Sequence, residues 1–343
     1  MTFAADSSPT GDQSPETAPV GPSSNRHRRR AMVVNIARYV LLAIVLVAAT
    51  WTLVINWTGV VDQIGRLQWQ RVLVSLLAVF VGIGSATMSW QVLVDDLGKP
   101  IGVGRGAQVF LVGVLGKYLP GSVWAYLLQI ELGSRAGLAR ARVFAATLFS
   151  VAVAMVAALI AGAIAVPELV SMSPELSWLP WLYIILPVAL VFLYPPILTA
   201  IVRIAFRLVR RPRPDHPVTL PVVAKSLAWA LLSYLSYGVH LWMLADTSEG
   251  LSLQPLALCI GTMGVAMIAS LAAFVVPSGA GVRELVIITA LTPVVGGVSA
   301  IVYAAVSRVM FILADLVSAG GAAGLAVVAR RRRGVYEGDP GRS

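Results

Sequence analysis

Charged side chains are scarce in this chain of 343 residues, since Asp, Glu, Lys and Arg together make up only 12% of it. A soluble globular domain normally carries about 25% charged residues. Hydrophobic residues account for 58%, and the mean hydropathy is +0.83. Several apolar stretches exceed the roughly 20 residues that a helix needs to cross a bilayer. The composition therefore excludes a soluble enzyme and predicts an all-α polytopic membrane protein.

Cysteine and histidine are equally scarce. Cys259 is the single cysteine, so no disulfide forms within the chain. The three histidines, His27, His216 and His240, are far apart and have no metal-ligand spacing. The sequence also has no P-loop, no Gly-x-Ser-x-Gly and no His-Glu-x-x-His motif. We therefore expect no cofactor and no metal.

Acidic residues are fewer than basic ones, 16 against 26, which gives a net charge of +10. In a soluble protein such a balance would indicate a nucleic-acid partner. Here the basic residues cluster in short loops between apolar segments, the pattern of cytoplasmic loops in membrane proteins. We expect no nucleic acid among the partners, and we expect the protein in the plasma membrane.

Apolar segments divide the chain into a single membrane domain with two tails. Residues 1–30 are predicted to be a disordered cytoplasmic tail, because they are rich in Ser, Pro, Thr and Gly. Residues 31–330 form the transmembrane domain, and residues 331–343 form a basic cytoplasmic tail. About six full spans are predicted, with both termini in the cytoplasm, at residues 32–56, 72–94, 143–166, 180–204, 222–245 and 299–329.

Two further apolar segments are broken in the middle by proline and glycine. The first, residues 107–130, is broken at Pro120-Gly121. Because cytoplasmic loops with basic residues lie on both sides of this segment, it should enter and leave on the cytoplasmic side. The second, residues 256–295, contains Pro277, Gly279 and Gly281. Its second limb, residues 285–295, is too short to cross alone. We therefore predict two re-entrant helical hairpins, the second entering from the outside.

The same order of segments occurs in two halves, at about residues 31–166 and 180–329, in opposite orientations. The same 23 residues separate Pro120 from Val143 and Pro277 from Ala300. An inverted repeat with broken helices in matching positions is typical of transporters whose binding site lies near the membrane midplane. The halves are not equivalent, because only the second has charged residues in its last span.

Four charged residues follow the second break. Arg283 and Glu284 begin the short limb, where helix N-terminal amides favour an anion such as a lipid phosphate. Arg308 and Asp315 share one face of the last span, and should face the protein interior because each charge costs about 2.5–3.5 kcal/mol in lipid. We expect Arg308 to pair with Glu284 and Asp315 with Arg283, or the two exchanged. This neutral cluster either binds a headgroup or holds the hairpin to the last helix.

Polar residues also surround the first break. Lys117 either reaches a lipid headgroup or extends to the cytoplasmic interface, and Trp124 is expected to be an interfacial anchor. Gln129 and Glu131 either bind polar groups or mark the end of the hairpin. The complete set of candidate substrate-binding residues is Lys117, Tyr118, Pro120, Gly121, Trp124, Gln129, Glu131, Pro277, Gly279, Gly281, Arg283, Glu284, Arg308 and Asp315.

Two of these stretches resemble a known family. Gly-Lys-Tyr-Leu-Pro-Gly-Ser-Val-Trp at residues 116–124 and Pro-Ser-Gly-Ala-Gly-Val-Arg-Glu at residues 277–284 are similar to the transmembrane region of lysylphosphatidylglycerol synthases, part of a wider group of flippase-like membrane proteins. The resemblance covers roughly residues 33–330 and implies lipid translocation. The synthases carry a soluble aminoacyl-transferase domain after the membrane region. Here the sequence ends at Ser343, so we expect no aminoacyl transfer and no enzyme.

The leading hypothesis is a translocase for a lipid or a lipid-linked precursor. Its partners would be membrane lipids with anionic or polyprenyl-phosphate headgroups. One alternative is a non-transporting partner or regulator of a glycosyltransferase or a lipid-modifying enzyme. Another is an intramembrane transferase with Glu284 as the general base.

Overall fold

The computed structural model describes residues 67–119, 123–172, 179–200, 218–245, 253–273 and 281–337, and the single residues 58, 61, 62, 65, 177, 203 and 279. Three candidate residues, Pro120, Gly121 and Pro277, lie outside the described residues. So do the predicted N-terminal tail and the predicted first span.

The described residues form helices and no strand. Five helices are long and apolar enough to cross a membrane, which confirms an all-α, multi-pass membrane protein. The helices are α1 (Trp69–Asp96), α2 (Val103–Val114), α3 (Trp124–Arg135), α4 (Arg140–Ile164), α5 (Val166–Met172), α6 (Leu182–Phe192), α7 (Leu220–Leu244), α8 (Leu253–Ala272), α9 (Val282–Val295) and α10 (Gly297–Glu337). The five candidate spans are in α1, α4, α7, α8 and α10.

The predicted span at residues 180–204 is not one continuous helix. Helix α6 ends at Phe192, and a separate helical segment occupies residues 195–200. The amides of Leu193 and Tyr194 bond to carbonyls three residues back, which tightens and ends α6. Pro195 and Pro196 explain the interruption, because proline has no amide hydrogen and disfavours helical geometry in the residue before it.

The first broken segment forms a helical hairpin, which we call hairpin 1. It consists of α2, a 3-10 turn at Leu115–Tyr118 and α3. Gly113 lies against Gln129, and Gly116 lies against Ala125, so the two limbs run antiparallel. A Cβ at Gly116 would stand 2.6 Å from the Ala125 amide nitrogen. Glycine is needed there because the two backbones touch.

The second broken segment, hairpin 2, consists of α8, the break and α9. Helix α9 begins at Val282, and its 14 residues extend only about 21 Å, less than the thickness of a bilayer core. Gly281 precedes it with φ of 87°, a conformation that side-chain-bearing residues rarely adopt. Helix α8 has 20 residues and is long enough to cross alone. The side from which each hairpin enters the membrane stays a prediction.

Helices from the two halves pack against each other. Helices α1 and α7, which occupy the same place in the two halves, share the most extensive interface among the described helices. Helix α4 packs against α8 of hairpin 2, and α10 packs against α2 of hairpin 1. Each hairpin therefore contacts the last helix of the opposite half, and α9 of hairpin 2 also packs against α10 of its own half.

Replacement of Gly116 by alanine should destabilise the fold by about 1–3 kcal/mol, because the added methyl group meets backbone atoms that cannot move aside. The matched control is Gly104→Ala, since nothing lies within 4 Å of a Cβ at that position. The control should be neutral or stabilising by up to about 1 kcal/mol. Unfolding of the two purified variants in detergent checks this. Equal stabilities would contradict the close packing inferred for hairpin 1.

Candidate functional site

A cavity of about 380 Å³ lies where the two hairpins meet the long helices. Hairpin 1 contributes Lys117 and Gln129, and hairpin 2 contributes Gly279 and Arg283. Helix α10 contributes Asp315. The structure therefore brings five of the predicted candidates, from both breaks and the last span, to one wall of one cavity.

Lys117 and Asp315 form an ion pair that joins hairpin 1 to α10. The Lys117 Nζ lies 2.5 Å from the Asp315 Oδ2, and the Tyr118 hydroxyl donates to the same oxygen at 2.5 Å. The Asp315 side chain is 5% exposed. This corrects the predicted pairing of Asp315 with Arg283. The ammonium group of Lys117 turns inward to a carboxylate from the other half instead of extending to the interface.

Glu284 and Arg308 form a pair that belongs to one of the two pairings predicted from the sequence. The Arg308 Nη1 donates to the Glu284 Oε1 at 3.2 Å. The other oxygen, Oε2, accepts the Gly281 backbone amide at 2.7 Å and caps the first turn of α9. Both oxygens of Glu284 are therefore engaged in holding α9 to α10, and Glu284 does not line the cavity. This arrangement does not favour Glu284 as a general base.

Arg283 is buried without a carboxylate partner among the described residues. Its Nη2 donates to the Ser307 Oγ at 2.8 Å, and its guanidinium lies 3.8 Å from the centre of the Phe311 ring. The Nε has no hydrogen-bond partner there. An unsatisfied buried donor costs about 1–3 kcal/mol. Arg283 therefore lines the cavity with a buried guanidinium that has no ion-pair partner within 4.0 Å among the described residues.

A buried polar chain, which composition alone did not reveal, supports Arg283. The fully buried His240 has its Nε2 2.9 Å from the Ser307 Oγ and its Nδ1 2.7 Å from the Ser75 Oγ. Ser75 donates to the His240 carbonyl at 2.9 Å. Because Ser307 accepts from Arg283, its own hydrogen is available to Nε2. If His240 is neutral and carries its proton on Nδ1, this proton is donated to the Ser75 Oγ and the Ser307 hydrogen is donated to Nε2.

The sequence of α7 contains a signal for this buried polar chain. Ser233, Ser236, Tyr237 and His240 recur at intervals of three and four residues, which places them on one helix face. All four are buried. The spacing of the histidines tests only for a metal site, whereas this periodic polar face in an apolar span indicates a buried polar contact.

Of the remaining candidates, Gln129 lines the cavity, whereas Glu131 and Trp124 lie outside it. Gln129 is buried and accepts from the Thr147 hydroxyl at 3.0 Å. Glu131 pairs with Arg135 at 3.0 Å and with Arg140 at 3.3 Å near the surface, so it marks the end of the hairpin. Trp124 is 46% exposed and does not line the cavity.

The charges do not cancel as predicted. Lys117 joins the expected four charged residues, so three cations face two carboxylates. Two ion pairs, Lys117 with Asp315 and Arg308 with Glu284, leave Arg283 as the excess positive charge.

Removal of one member of the buried ion pair should cost more than removal of both. Asp315→Leu leaves the Lys117 ammonium without its partner and should lower stability by about 3–5 kcal/mol. The double variant Asp315→Leu with Lys117→Met should recover much of this loss. Glu131→Ala, which breaks a surface pair, should cost less than about 1 kcal/mol. Thermal unfolding in detergent measures all three. A double variant no more stable than the single one would contradict the pairing.

Ser307→Ala should remove the hydrogen bond that Arg283 makes among the described residues and a partner of His240, with an expected loss of about 1–3 kcal/mol. The control on the same helix is Ser318→Ala, because no side-chain hydrogen bond of Ser318 is present among the described residues. It should change stability by less than about 0.5 kcal/mol. If both variants unfold at the wild-type temperature, the polar chain does not support the site.

Comparison with known proteins agrees with these features. No curated protein sequence matches the chain significantly. A family model described as the lysylphosphatidylglycerol synthase TM region matches residues 36–318, a range that includes both hairpins and every residue of the two ion pairs. Because this match covers more than half of the sequence, the chain belongs to the lysylphosphatidylglycerol synthase transmembrane-region family.

Proposed function

We propose that the protein translocates an anionic lipid, or a lipid-linked precursor, between the leaflets of the plasma membrane. The headgroup phosphate binds in the cavity between the two hairpins. The observation that carries this proposal is Arg283, a buried guanidinium that lines the cavity and has no carboxylate partner among the described residues. Membership of a family of membrane regions from phospholipid synthases supports a role in lipid handling.

The surroundings of Arg283 suit a phosphate. Its guanidinium plane is held on one side by the Phe311 ring, while Ser307 holds Nη2. A planar guanidinium presents parallel donors that match two phosphate oxygens, and such charge-assisted bonds are stronger than neutral ones. The Nε donor lacks a partner among the described residues. A bound phosphate would pair with the Arg283 guanidinium.

The rest of the cavity suits a polar headgroup. Its volume of about 380 Å³ falls within the range of about 300–1,000 Å³ that is common for ligand sites. Hydroxyl groups from α1, α4 and α7 line the wall, among them Ser89, Ser150 and Ser233. These groups can replace the water of a headgroup while its acyl chains stay in the lipid.

Vesicles that contain a fluorescent phosphatidylglycerol test the proposal. Wild-type protein should increase the transfer of this lipid between leaflets above the rate in empty vesicles. Arg283→Gln should lower the protein-dependent rate about tenfold or more, because a hydrogen bond to a charged group contributes about 1.5–3 kcal/mol. Arg283→Lys should retain part of the rate, since the charge remains.

The matched control is Arg135→Gln, because Arg135 is an exposed arginine of hairpin 1 outside the cavity. It should transfer lipid at the wild-type rate. Size-exclusion profiles and melting temperatures verify that each variant is folded. Transfer by the wild type at the rate of empty vesicles would overturn the proposal and favour a non-transporting partner. A folded Arg283→Gln variant with the full rate would overturn the role of Arg283.

A further inference from the structure

Asp315 is the one carboxylate among the described residues that line the cavity. Its Oδ2 receives both the Lys117 ammonium and the Tyr118 hydroxyl. The other oxygen, Oδ1, takes no hydrogen bond from the described residues. Lys117 is 32% exposed, so the ion pair is not sealed inside the protein. A buried carboxylate thus lines the cavity with one oxygen available to accept a proton.

A phosphate bound at Arg283 and the ionised Asp315 carboxylate would both be negatively charged, so they would repel each other in the cavity. Lys117, the second cation of the cavity, is already engaged by Asp315. In a site of low dielectric, two neighbouring anions disfavour each other's ionised forms. Transfer of one proton from water to the Asp315 Oδ1 removes the repulsion and frees the Lys117 ammonium for the phosphate. The Tyr118 hydroxyl can continue to donate to Oδ2 of the neutral acid.

We infer that headgroup binding is coupled to the uptake of one proton by Asp315, so that the lipid and a proton move together. This inference rests on the proposed function. Coupling between two binding events is reciprocal. A proton on Asp315 therefore strengthens the binding of the anionic headgroup, and loss of the proton weakens it and promotes release. A pH difference across the membrane could then drive transport in one direction.

Charged and titratable groups reach Asp315 from several helices. Lys117 and Tyr118 bond to it from the 3-10 turn of hairpin 1, and Tyr237 interacts with it electrostatically from α7. Arg283 on α9 and Arg308 on α10 act on the same Lys117 and Tyr118. Helices α1 and α2 also pack against α10, and their charged residues lie in terminal turns: Arg71, Asp95, Asp96 and Arg105. Glu284 on α9 is engaged by Arg308 and the Gly281 amide.

The test measures lipid affinity and proton uptake on the purified full-length chain. A short-chain fluorescent phosphatidylglycerol serves as the probe, since its phosphodiester keeps one negative charge between about pH 5 and pH 8. Affinity should rise as the pH falls, by up to about tenfold per pH unit for one coupled proton. In a weakly buffered sample with a pH indicator, addition of the lipid should remove protons from solution.

Asp315→Asn should bind the lipid with an affinity that does not change with pH, and should take up no proton. Glu131→Gln is the matched control, because Glu131 is a carboxylate of hairpin 1 outside the cavity. It should keep the wild-type pH dependence. A wild-type affinity that does not change with pH, with no proton uptake, would overturn the coupling and leave the proposed function standing.

Two further outcomes decide the question. Persistence of the pH dependence in folded Asp315→Asn would assign the proton to another group and overturn the inference. Absence of phosphatidylglycerol binding at every pH would overturn both the coupling and the proposed function. If Asp315→Asn does not fold, the wild-type proton uptake alone decides, because zero uptake contradicts the inference.

Discussion

The structure depends on the requirement that charges at membrane depth find partners inside the protein. Helix α10 meets this requirement for both hairpins. Its Asp315 holds Lys117 of hairpin 1, and its Arg308 holds Glu284 of hairpin 2. Because both ion pairs end on one helix, Lys117 beside the first break and Arg283 beside the second line the same cavity. Arg283 is the cation that this arrangement leaves without a carboxylate among the described residues.

The two halves use equivalent positions differently. The residues of α4 that align with Arg308 and Asp315 are Val151 and Ala158, and both are apolar. Val151 lines the cavity, while a Cβ on Gly264 of α8 would stand 2.6 Å from the Ala158 carbonyl oxygen. Contact between α4 and hairpin 2 is therefore made by small residues in close approach, as in many membrane helix pairs. Contact between α10 and hairpin 1 includes an ion pair instead. Of the three charged residues that line the cavity among the described residues, Arg283 and Asp315 therefore come from the second half and Lys117 from the first.

Local patterns predicted most of the fold and half of the charge pairing. Hydrophobic length located α1, α4, α7 and α10, and proline with glycine located both breaks. The pairing of Arg308 with Glu284 was predictable because α9 and α10 are joined by a single residue, and the two side chains lie at equal distances along the chain from that connection. The Lys117–Asp315 pair was not, since its members come from opposite halves and meet only after each hairpin packs on the other half. The same reason concealed the contacts of His240 with α1 and α10.

The polar chain behind Arg283 explains how its charge stays available. Ser307 accepts from the guanidinium, and its own hydrogen is available to the His240 Nε2, while the His240 Nδ1 lies within hydrogen-bond distance of Ser75. This chain supplies hydrogen bonds without a negative charge, whereas an aspartate in the place of Ser307 would neutralise the cation. Phe311 covers one face of the guanidinium and is likewise uncharged. The hydrogen bond and the ring contact of Arg283 are thus made by neutral groups, which leaves its charge available for the proposed anion.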